Sequence, residues 1–65
     1  MKHLIGKRCK LHILFCGVDL YYTADVIGVS STHISFVDKY EKNYSYRLQD
    51  VLEANIIKRV NLNEN

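Results

Sequence analysis

The sequence lacks the features of several large protein classes. Its longest unbroken apolar stretch, residues 13–16, is far too short to cross a bilayer, and its beginning has no long apolar run of the kind found in signal peptides. It contains no proline and three glycines, with no internal repeat and no low-complexity segment. Hydrophobic residues make up 48% of the chain and charged residues 25%, a balance that is atypical of intrinsic disorder.

Neither sign of charge dominates. Nine Lys and Arg oppose seven Asp and Glu, for a net charge of +2, whereas a dedicated DNA-coating protein would be more basic. The two cysteines, Cys9 and Cys16, are not a CxxC pair, and no second cysteine or histidine pair completes a zinc pattern. We expect two small buried thiols, no metal, no cofactor and a reducing, cytoplasmic location.

Short segments of strand character fill most of the chain. Residues 8–15 alternate, because Cys9, Leu11, Ile13 and Phe15 fall on one side and Arg8, Lys10 and His12 on the other. A turn over residues 16–19 follows. Further strands are predicted over residues 20–29, 33–37, 44–48 and 52–60, with a change of parity near Gly28 that indicates a bulge or bend. Residues 49–51 predict a tight turn of 3-10 type, and residues 52–54 are also compatible with a helix.

Five short strands in so small a chain favour closure, since closure removes exposed sheet edges. We therefore predict an all-β fold, a small five-stranded SH3-like or Sm-like barrel formed by residues 1–60, with one short 3-10 or helical turn. Residues 61–65 form a polar tail that we expect to fray. A domain of this size buries a thin core, so self-association is also expected to help stabilise it.

Several segments resemble a known family in order and spacing. They are the opening Gly6-Lys7-Arg8-Cys9 run, the turn glycine Gly17, the Tyr21-Tyr22-Thr23-Ala24 stretch, Ile34-Ser35-Phe36-Val37-Asp38, and Tyr46-Arg47-Leu48-Gln49. Over roughly residues 4–57 the chain resembles Sm-like and Hfq-like proteins, and more loosely other SH3-like barrels. The resemblance implies a small barrel, a ring-forming oligomer and RNA binding. The chain departs from the pattern at Leu48, because Sm proteins carry an Arg-Gly pair where this chain has Arg47-Leu48.

No arrangement of residues predicts catalysis. Ser30 or Ser31, His33 and Asp38 offer the residue types of a hydrolase triad, but no nucleophile elbow or glycine-rich oxyanion loop accompanies them. His12 and Cys16 lie about 13 Å apart on a straight strand, too far to share a zinc ion. We therefore expect a binding module that is not an enzyme and has no small-molecule substrate.

Basic residues gather near the two ends of the chain, within residues 2–12 and at Lys58 and Arg59, and a last strand lying near the first would merge them into one basic face. Phosphate neutralisation by Lys and Arg, together with base stacking on aromatic rings, is the usual way to hold a single strand. The candidate nucleic-acid-binding residues are Lys7, Arg8, Lys10, Tyr21, Tyr40, Tyr44, Arg47, Lys58 and Arg59. The first function hypothesis is therefore RNA or other single-stranded nucleic-acid binding through a basic face.

A protein interface is the alternative. Tyrosines and a small net charge also suit protein contacts, and Tyr21 and Tyr22 cannot both face inward on a regular strand. The second hypothesis is a protein-interaction or assembly module, a homo-oligomer or peptide binder without nucleic acid, with Ile27 and Ile57 at the seam. Neither hypothesis involves a membrane.

Overall fold

The fold is a single antiparallel β-sheet, seen in a computed structural model that describes residues 1–57. Its strands are β1 (Arg8–Phe15), β2 (Val18–Val29), β3 (His33–Asp38), β4 (Asn43–Arg47) and β5 (Val51–Ile56). Two 3-10 turns, Lys2–Leu4 and Leu48–Asp50, are the only helical elements in the described range. The all-β prediction and the 3-10 turn before the last strand are confirmed, and the helical alternative for residues 52–54 is wrong. The predicted tail, residues 61–65, lies outside the described residues.

Strand order in the sheet is β4-β3-β2-β1-β5, with every neighbouring pair antiparallel. The first four strands form a meander, in which each strand pairs with the next along the chain. The fifth strand then returns to pair with β1, so that Cys9 lies opposite Ile56. No backbone pairing between β4 and β5 is present among residues 1–57.

The β1–β2 hairpin has a two-residue turn, shorter than the four-residue turn predicted from the sequence. Phe15 pairs with Val18, so Cys16 and Gly17 are the loop, and both have positive φ (52° and 77°). Positive φ at both central positions is the requirement of a type I′ hairpin turn, whose twist matches that of the strands. Because Cys16 sits at this turn it is exposed, and the expectation of two buried thiols holds only for Cys9.

The core comes from the inward side of three strands and one preceding turn. Its buried hydrophobic members are Leu4, Cys9, Leu11, Ile13, Ala24, Val26, Ile34 and Phe36. Leu4 reaches it from the first 3-10 turn, which is tied to β2 by the Gly6 N–H to Val26 carbonyl bond of 2.8 Å. The predicted alternation along β1 is confirmed for Cys9, Leu11 and Ile13, which are buried, whereas Phe15, predicted on the same side, is exposed next to the turn.

An aromatic cluster extends this core toward β4. The half-buried rings of Tyr22, Tyr44 and Tyr46 pack around the buried ring of Phe36, with centroid separations of 5.1, 5.7 and 6.0 Å from Phe36. The hydroxyls of Tyr22 and Tyr46 lie 2.7 Å apart and share a hydrogen bond. Burial raises the pKa of the Tyr22 phenol, and the bond to Tyr46 raises it further.

The sheet is strongly curled. Three residues, Leu48–Asp50, connect the β4 edge to the β5 edge. The chain from Arg47 to Val51 spans at most about 14 Å, whereas the outer strands of a flat five-stranded sheet would lie about 19 Å apart. Phe15 on β1 also contacts Tyr46 on β4 at a centroid distance of 5.5 Å, although two strands separate β1 from β4 in the sheet. The two margins must therefore approach each other at the end of the sheet nearest this connection.

Two register shifts help the sheet bend. The pairing of β2 with β3 shifts between Val26 and Gly28, which places Ile27 at a bulge with 57% of its surface exposed. This confirms the predicted change of parity near Gly28. A second shift lies between His12 and Ile13 where β1 meets β5, and it leaves Leu52 unpaired and exposed. Bulges of this kind sharpen the local twist and bend of a strand.

Candidate nucleic-acid interface

The outward face of β5, β1 and β2 carries two rows of polar side chains. Lys10 lies between Asn55 and Thr23, and the next outward position along β1, His12, lies between Glu53 and Tyr21. Together with Lys39 from the β3–β4 connection these six residues line a groove of about 360 Å³, which we call the outer groove. The two-residue alternation of antiparallel strands is what brings all six to one side.

Tyr21 and His12 form a stacked pair in the outer groove. Their ring centroids are 4.4 Å apart with planes 15° from parallel. His12 Nε2 also lies 2.8 Å from a carboxylate oxygen of Asp19, which fixes the imidazole against the tyrosine. Tyr21 nevertheless remains 72% exposed. One face of its ring is thus covered by His12, and much of the rest of the side chain is open to a ligand.

The charges of the outer groove are not all matched. Lys10, Lys39 and Glu53 make no ion pair with any side chain among residues 1–57. The Lys39 ammonium lies 5.3 Å from the ring centroid of Tyr40, in a cation–π contact. Two lysines and one glutamate therefore line the same groove as the exposed Tyr21 ring.

A second groove lies at the other end of β3 and β4. It has a volume of about 330 Å³ and is lined by Ser31, Thr32, His33, Arg47, Leu48 and Gln49, and we call it the loop groove. His33 and Arg47 are directly opposite each other in the β3–β4 ladder. The Arg47 guanidinium makes one hydrogen bond of 3.4 Å to Asp50 and is 58% exposed, so most of its donors remain available to an anion.

The predicted basic residues of the first strand divide into two environments. Lys7 precedes β1 and is exposed, and its backbone carbonyl accepts a 3.0 Å bond from the Val26 N–H. Arg8 is held by Asp25, opposite it on β2, through two hydrogen bonds of 2.9 and 3.1 Å. These bonds and the charge of Asp25 raise the pKa of Arg8. Of the predicted cations of β1, Lys10 is the one in the outer groove.

The predicted tyrosines are likewise not equivalent. Tyr21 is in the outer groove, and Tyr40 is 70% exposed on the β3–β4 connection beside it. Tyr44 faces inward, because it shares a side of the sheet with its partner Phe36, and its ring is half-buried in the aromatic cluster. Of the nine predicted site residues, the structure brings Lys10 and Tyr21 into one groove and places Arg47 in the other. Lys58 and Arg59 lie outside the described residues.

Sequence reasoning missed most of the outer groove. Thr23, Lys39, Glu53 and Asn55 were not predicted as site residues, and neither was His12, although the alternation placed it on the wet side of its strand. A two-residue turn at Cys16 and Gly17 sets Lys10 opposite Thr23 and His12 opposite Tyr21. A prediction of a two-residue turn from the sequence would therefore have placed Thr23 and Tyr21 opposite the outward residues of β1.

Comparison with known proteins gives no relative. No protein-family model, no curated protein and no solved structure matches this chain. The two grooves are therefore the features of this chain that indicate its function.

No group of three or more His, Cys, Asp or Glu in residues 1–57 is placed to hold a metal ion. None of the helical turns in that range is long and apolar enough to cross a membrane. The Ser30, His33 and Asp38 side chains do not form a triad, because Ser30 Oγ and the Asp38 carboxylate bond to backbone N–H groups of their own turns.

Proposed function

We propose that this protein is a non-catalytic module that binds single-stranded nucleic acid, RNA in particular, through the outer groove. The observation that carries the proposal is the exposed Tyr21 ring, which is held against His12 and lines the same groove as the Lys10 and Lys39 side chains. A fixed aromatic ring next to unmatched cations provides the two contacts that a single strand needs, base stacking and phosphate neutralisation.

Preorganisation favours Tyr21 over the other exposed ring as the stacking residue. The ring is already ordered by His12, which Asp19 in turn holds at 2.8 Å, so binding a base costs little additional side-chain entropy. Tyr40 is exposed but contacts only the Lys39 ammonium among the ring and cation contacts seen in residues 1–57. Tyr40 and Lys39 would extend the contact surface along the strand, and Lys7 would add a further cation near β1.

The loop groove supplies a second contact in the same proposal. Arg47 presents an incompletely bonded guanidinium opposite His33, with the Thr32 hydroxyl 2.8 Å from His33 Nδ1. Guanidinium groups bind phosphate through paired N–H donors. Arg47 corresponds to the arginine of the Arg-Gly pair in the Sm-like resemblance, and we assign it a phosphate-binding role.

The finer fold assignment is also a proposal. We propose that the curled sheet belongs to the SH3-like or Sm-like barrels. The short connection through Leu48–Asp50 supports this, because it draws the two sheet margins together, and the strand order returns β5 to β1. We place the module in the cytoplasm, in keeping with two free thiols on a small domain.

A binding titration tests the function. A fluorescent twelve-nucleotide uridine-rich RNA should bind the full chain, and its association constant should fall steeply between 50 and 200 mM salt, as counterion release requires. Lys10→Glu should weaken binding and lower the salt slope by about one phosphate contact. Lys42→Glu, an exposed lysine outside both grooves, is the charge-matched control and should change the slope less.

A tyrosine series separates stacking from charge. Tyr21→Ala should weaken binding by about 1–3 kcal/mol, the usual value of one stacked base, and Tyr21→Phe should restore most of that loss. No binding at 50 mM salt with micromolar protein would rule out the proposal. Binding that Lys10→Glu and Tyr21→Ala leave unchanged would show that the outer groove is the wrong surface.

Assembly is the second candidate function, and one observation favours it. The strands at the two margins, β4 and β5, each have one side without a backbone partner in the described residues, and Leu52 and Ile56 on β5 are 55% and 44% exposed. Such edges readily pair with another chain. The predicted seam residue Ile27 is exposed, whereas Ile57 is half-buried.

Solution mass tests the assembly candidate. Light scattering over a hundredfold range of concentration should reveal an oligomer whose mass falls when Leu52→Lys is introduced. A monomer at every concentration would exclude self-association. The nucleic-acid proposal does not depend on this outcome, because both grooves lie within one chain.

A further inference from the structure

The carboxylate of Glu53 is not expected in a groove that binds only phosphate groups. Glu53 lies opposite His12 in the β1–β5 ladder, is exposed, and makes no hydrogen bond or ion pair within residues 1–57. A free carboxylate repels a phosphate backbone and lowers its affinity. It improves binding only if the ligand presents hydrogen-bond donors to it, since an ionised carboxylate is solely an acceptor.

Asn55 stands beside Glu53 on the same side of β5. Asn55 pairs with Lys10, and Glu53 pairs with His12, two residues further along β1. The Asn55 and Glu53 side chains therefore both project into the outer groove, two residues apart on β5. Their Cα atoms are about 7 Å apart at the usual rise of a strand. The edge of the groove thus offers one pure acceptor and one amide that can donate, close enough to contact the same planar ring.

We propose that Glu53 and Asn55 read the Watson–Crick edge of a guanine base; this inference rests on the proposed nucleic-acid-binding function. The guanine N1–H and N2–H groups would donate to the two Glu53 carboxylate oxygens, and the Asn55 amide would donate to O6. The guanine would lie beside His12, which stands between Tyr21 and Glu53 across the sheet. The Tyr21 ring, whose other face His12 covers, would stack on the adjacent base, and Lys10 and Lys39 would contact the neighbouring phosphates.

The other bases fit this edge less well. Adenine presents an acceptor, N1, where the carboxylate needs a donor, and its exocyclic amino group occupies the position of O6. Cytosine and uracil each present a single donor to a carboxylate on this edge. A carboxylate that accepts two adjacent N–H donors therefore selects guanine, and a good bidentate contact of this kind typically discriminates by about tenfold or more.

A guanine nucleotide carries this edge either within a strand or as a free nucleotide. The length of the groove favours the strand, because Lys39 and Glu53 stand at its opposite sides with Lys10 between them. Separate measurements with an oligonucleotide and with guanosine monophosphate distinguish the two sources. Chemical shifts of the Glu53 and Asn55 amides report on the monophosphate directly.

The test uses uridine dodecamers with one central substitution. A central guanine should raise affinity by about tenfold over the all-uridine strand, whereas adenine or cytosine should not. Inosine, which lacks the N2 amino group, should lose most of the gain. Guanosine monophosphate should shift the Glu53 and Asn55 amides where adenosine monophosphate does not, and it should bind more weakly than the strand.

Glu53→Gln is the decisive variant. It should reduce binding of the guanine-containing strand to the level of the all-uridine strand, and leave the all-uridine strand bound at least as tightly as before. Glu41→Gln, which removes the same charge at an exposed turn outside both grooves, should preserve the guanine preference. Equal binding of all strands by the unaltered protein would overturn the guanine inference and leave the proposed function standing. Failure of every strand to bind would overturn both.

Discussion

The hydroxyl oxygens of Tyr22 and Tyr46 lie 2.7 Å apart and join β2 to β4 above the ring of Phe36 on β3. The ladder sets Tyr46 in line with Val29 of β2, through Ile34 of β3, and Val29 is seven residues from Tyr22. A flat sheet would therefore hold the two tyrosines more than about 20 Å apart, beyond the reach of their side chains. The bond is therefore a direct sign of curvature. It also gives two polar atoms a partner inside an aromatic cluster, where an unbonded hydroxyl would be costly.

Removing one hydroxyl of this pair should lower the free energy of unfolding by more than half of the loss that removing both hydroxyls causes. Tyr22→Phe or Tyr46→Phe should each lower the free energy of unfolding by about 1–2 kcal/mol, because the remaining hydroxyl loses its partner. The double variant should cost less than the sum of the two single variants. A denaturant-based double-mutant cycle measures this coupling, with Tyr40→Phe as the exposed control, and strictly additive costs would contradict it.

Asp38 should stabilise the β3–β4 connection through its carboxylate. Only 8% of the residue is exposed, and one oxygen accepts 2.9 Å bonds from the backbone N–H groups of Tyr40 and Lys42. Asp38→Ala should lower the free energy of unfolding by about 1–3 kcal/mol. Asp38→Asn retains an acceptor oxygen and should cost less. Equal losses in thermal or urea unfolding would show that these backbone bonds contribute little.

The backbone of the β1–β2 turn is strained at Cys16, and a substitution at this position should relieve the strain. Cys16 has a φ of 52°, a region that Asn adopts more readily than most residues with a side chain. Asn-Gly is the preferred pair for a type I′ turn, so Cys16→Asn should raise the free energy of unfolding by roughly 0.5–1 kcal/mol, the range of compatible turn substitutions. Gly17→Ala should lower the free energy of unfolding, because Gly17 has a φ of 77°. Urea titrations of the two variants should therefore show stability changes of opposite sign.

Stability should fall at alkaline pH because two acidic groups of the core, the buried Cys9 thiol and the half-buried Tyr22 phenol, hold their protons. Burial raises the pKa of Cys9, with a smaller effect of Asp25, from an ordinary value of 9.0. The Tyr22 pKa is raised from 10.0, chiefly by burial. Since the folded state binds these protons more tightly than the unfolded chain does, the contribution is complete below pH 9 and declines as the pH rises above it.

Urea midpoints at pH 7.5, 9 and 10.5 under reducing conditions measure this decline. Tyr22→Phe should show a smaller loss between pH 9 and 10.5 than the parent protein, and Tyr21→Phe, at an exposed position, should behave like the parent. Identical pH profiles for Tyr22→Phe and the parent would contradict the assignment.

The two thiols should differ sharply in reactivity. Cys9 is fully buried and Cys16 is exposed, so one equivalent of a thiol reagent should react rapidly at pH 8. The second equivalent should react only as fast as the sheet opens. Cys16→Ser should abolish the fast phase, and a fast phase that persists in this variant would show that Cys9 is accessible.

Strand positions could be predicted from the sequence because alternation is a local property. Residues 8–15 match β1, and the predicted strands over residues 20–29 and 33–37 match β2 and β3 to within two residues. The bend near Gly28 was also visible as a change of parity. These features depend only on which neighbours along the chain are apolar, so one sequence is enough to reveal them.

Partners across the sheet were harder to predict because they depend on turn length and on bulges. Four loop residues at the first turn would set His12 opposite Thr23, whereas the observed two-residue turn sets it opposite Tyr21. Glu53 reaches the groove only through the bulge at Leu52 in the pairing with β1. Each error of one or two residues changes which side chains meet, and ion pairs such as Arg8 with Asp25 follow from that register.

The return of β5 to β1 has a kinetic consequence. Cys9 and Ile56 pair although nearly the whole described chain separates them in sequence, whereas the β1–β2 hairpin closes over two residues. Local hairpins form before such distant contacts repay their loop entropy. We therefore expect β5 to dock last, so that a substitution such as Ala54→Gly accelerates unfolding while barely slowing refolding.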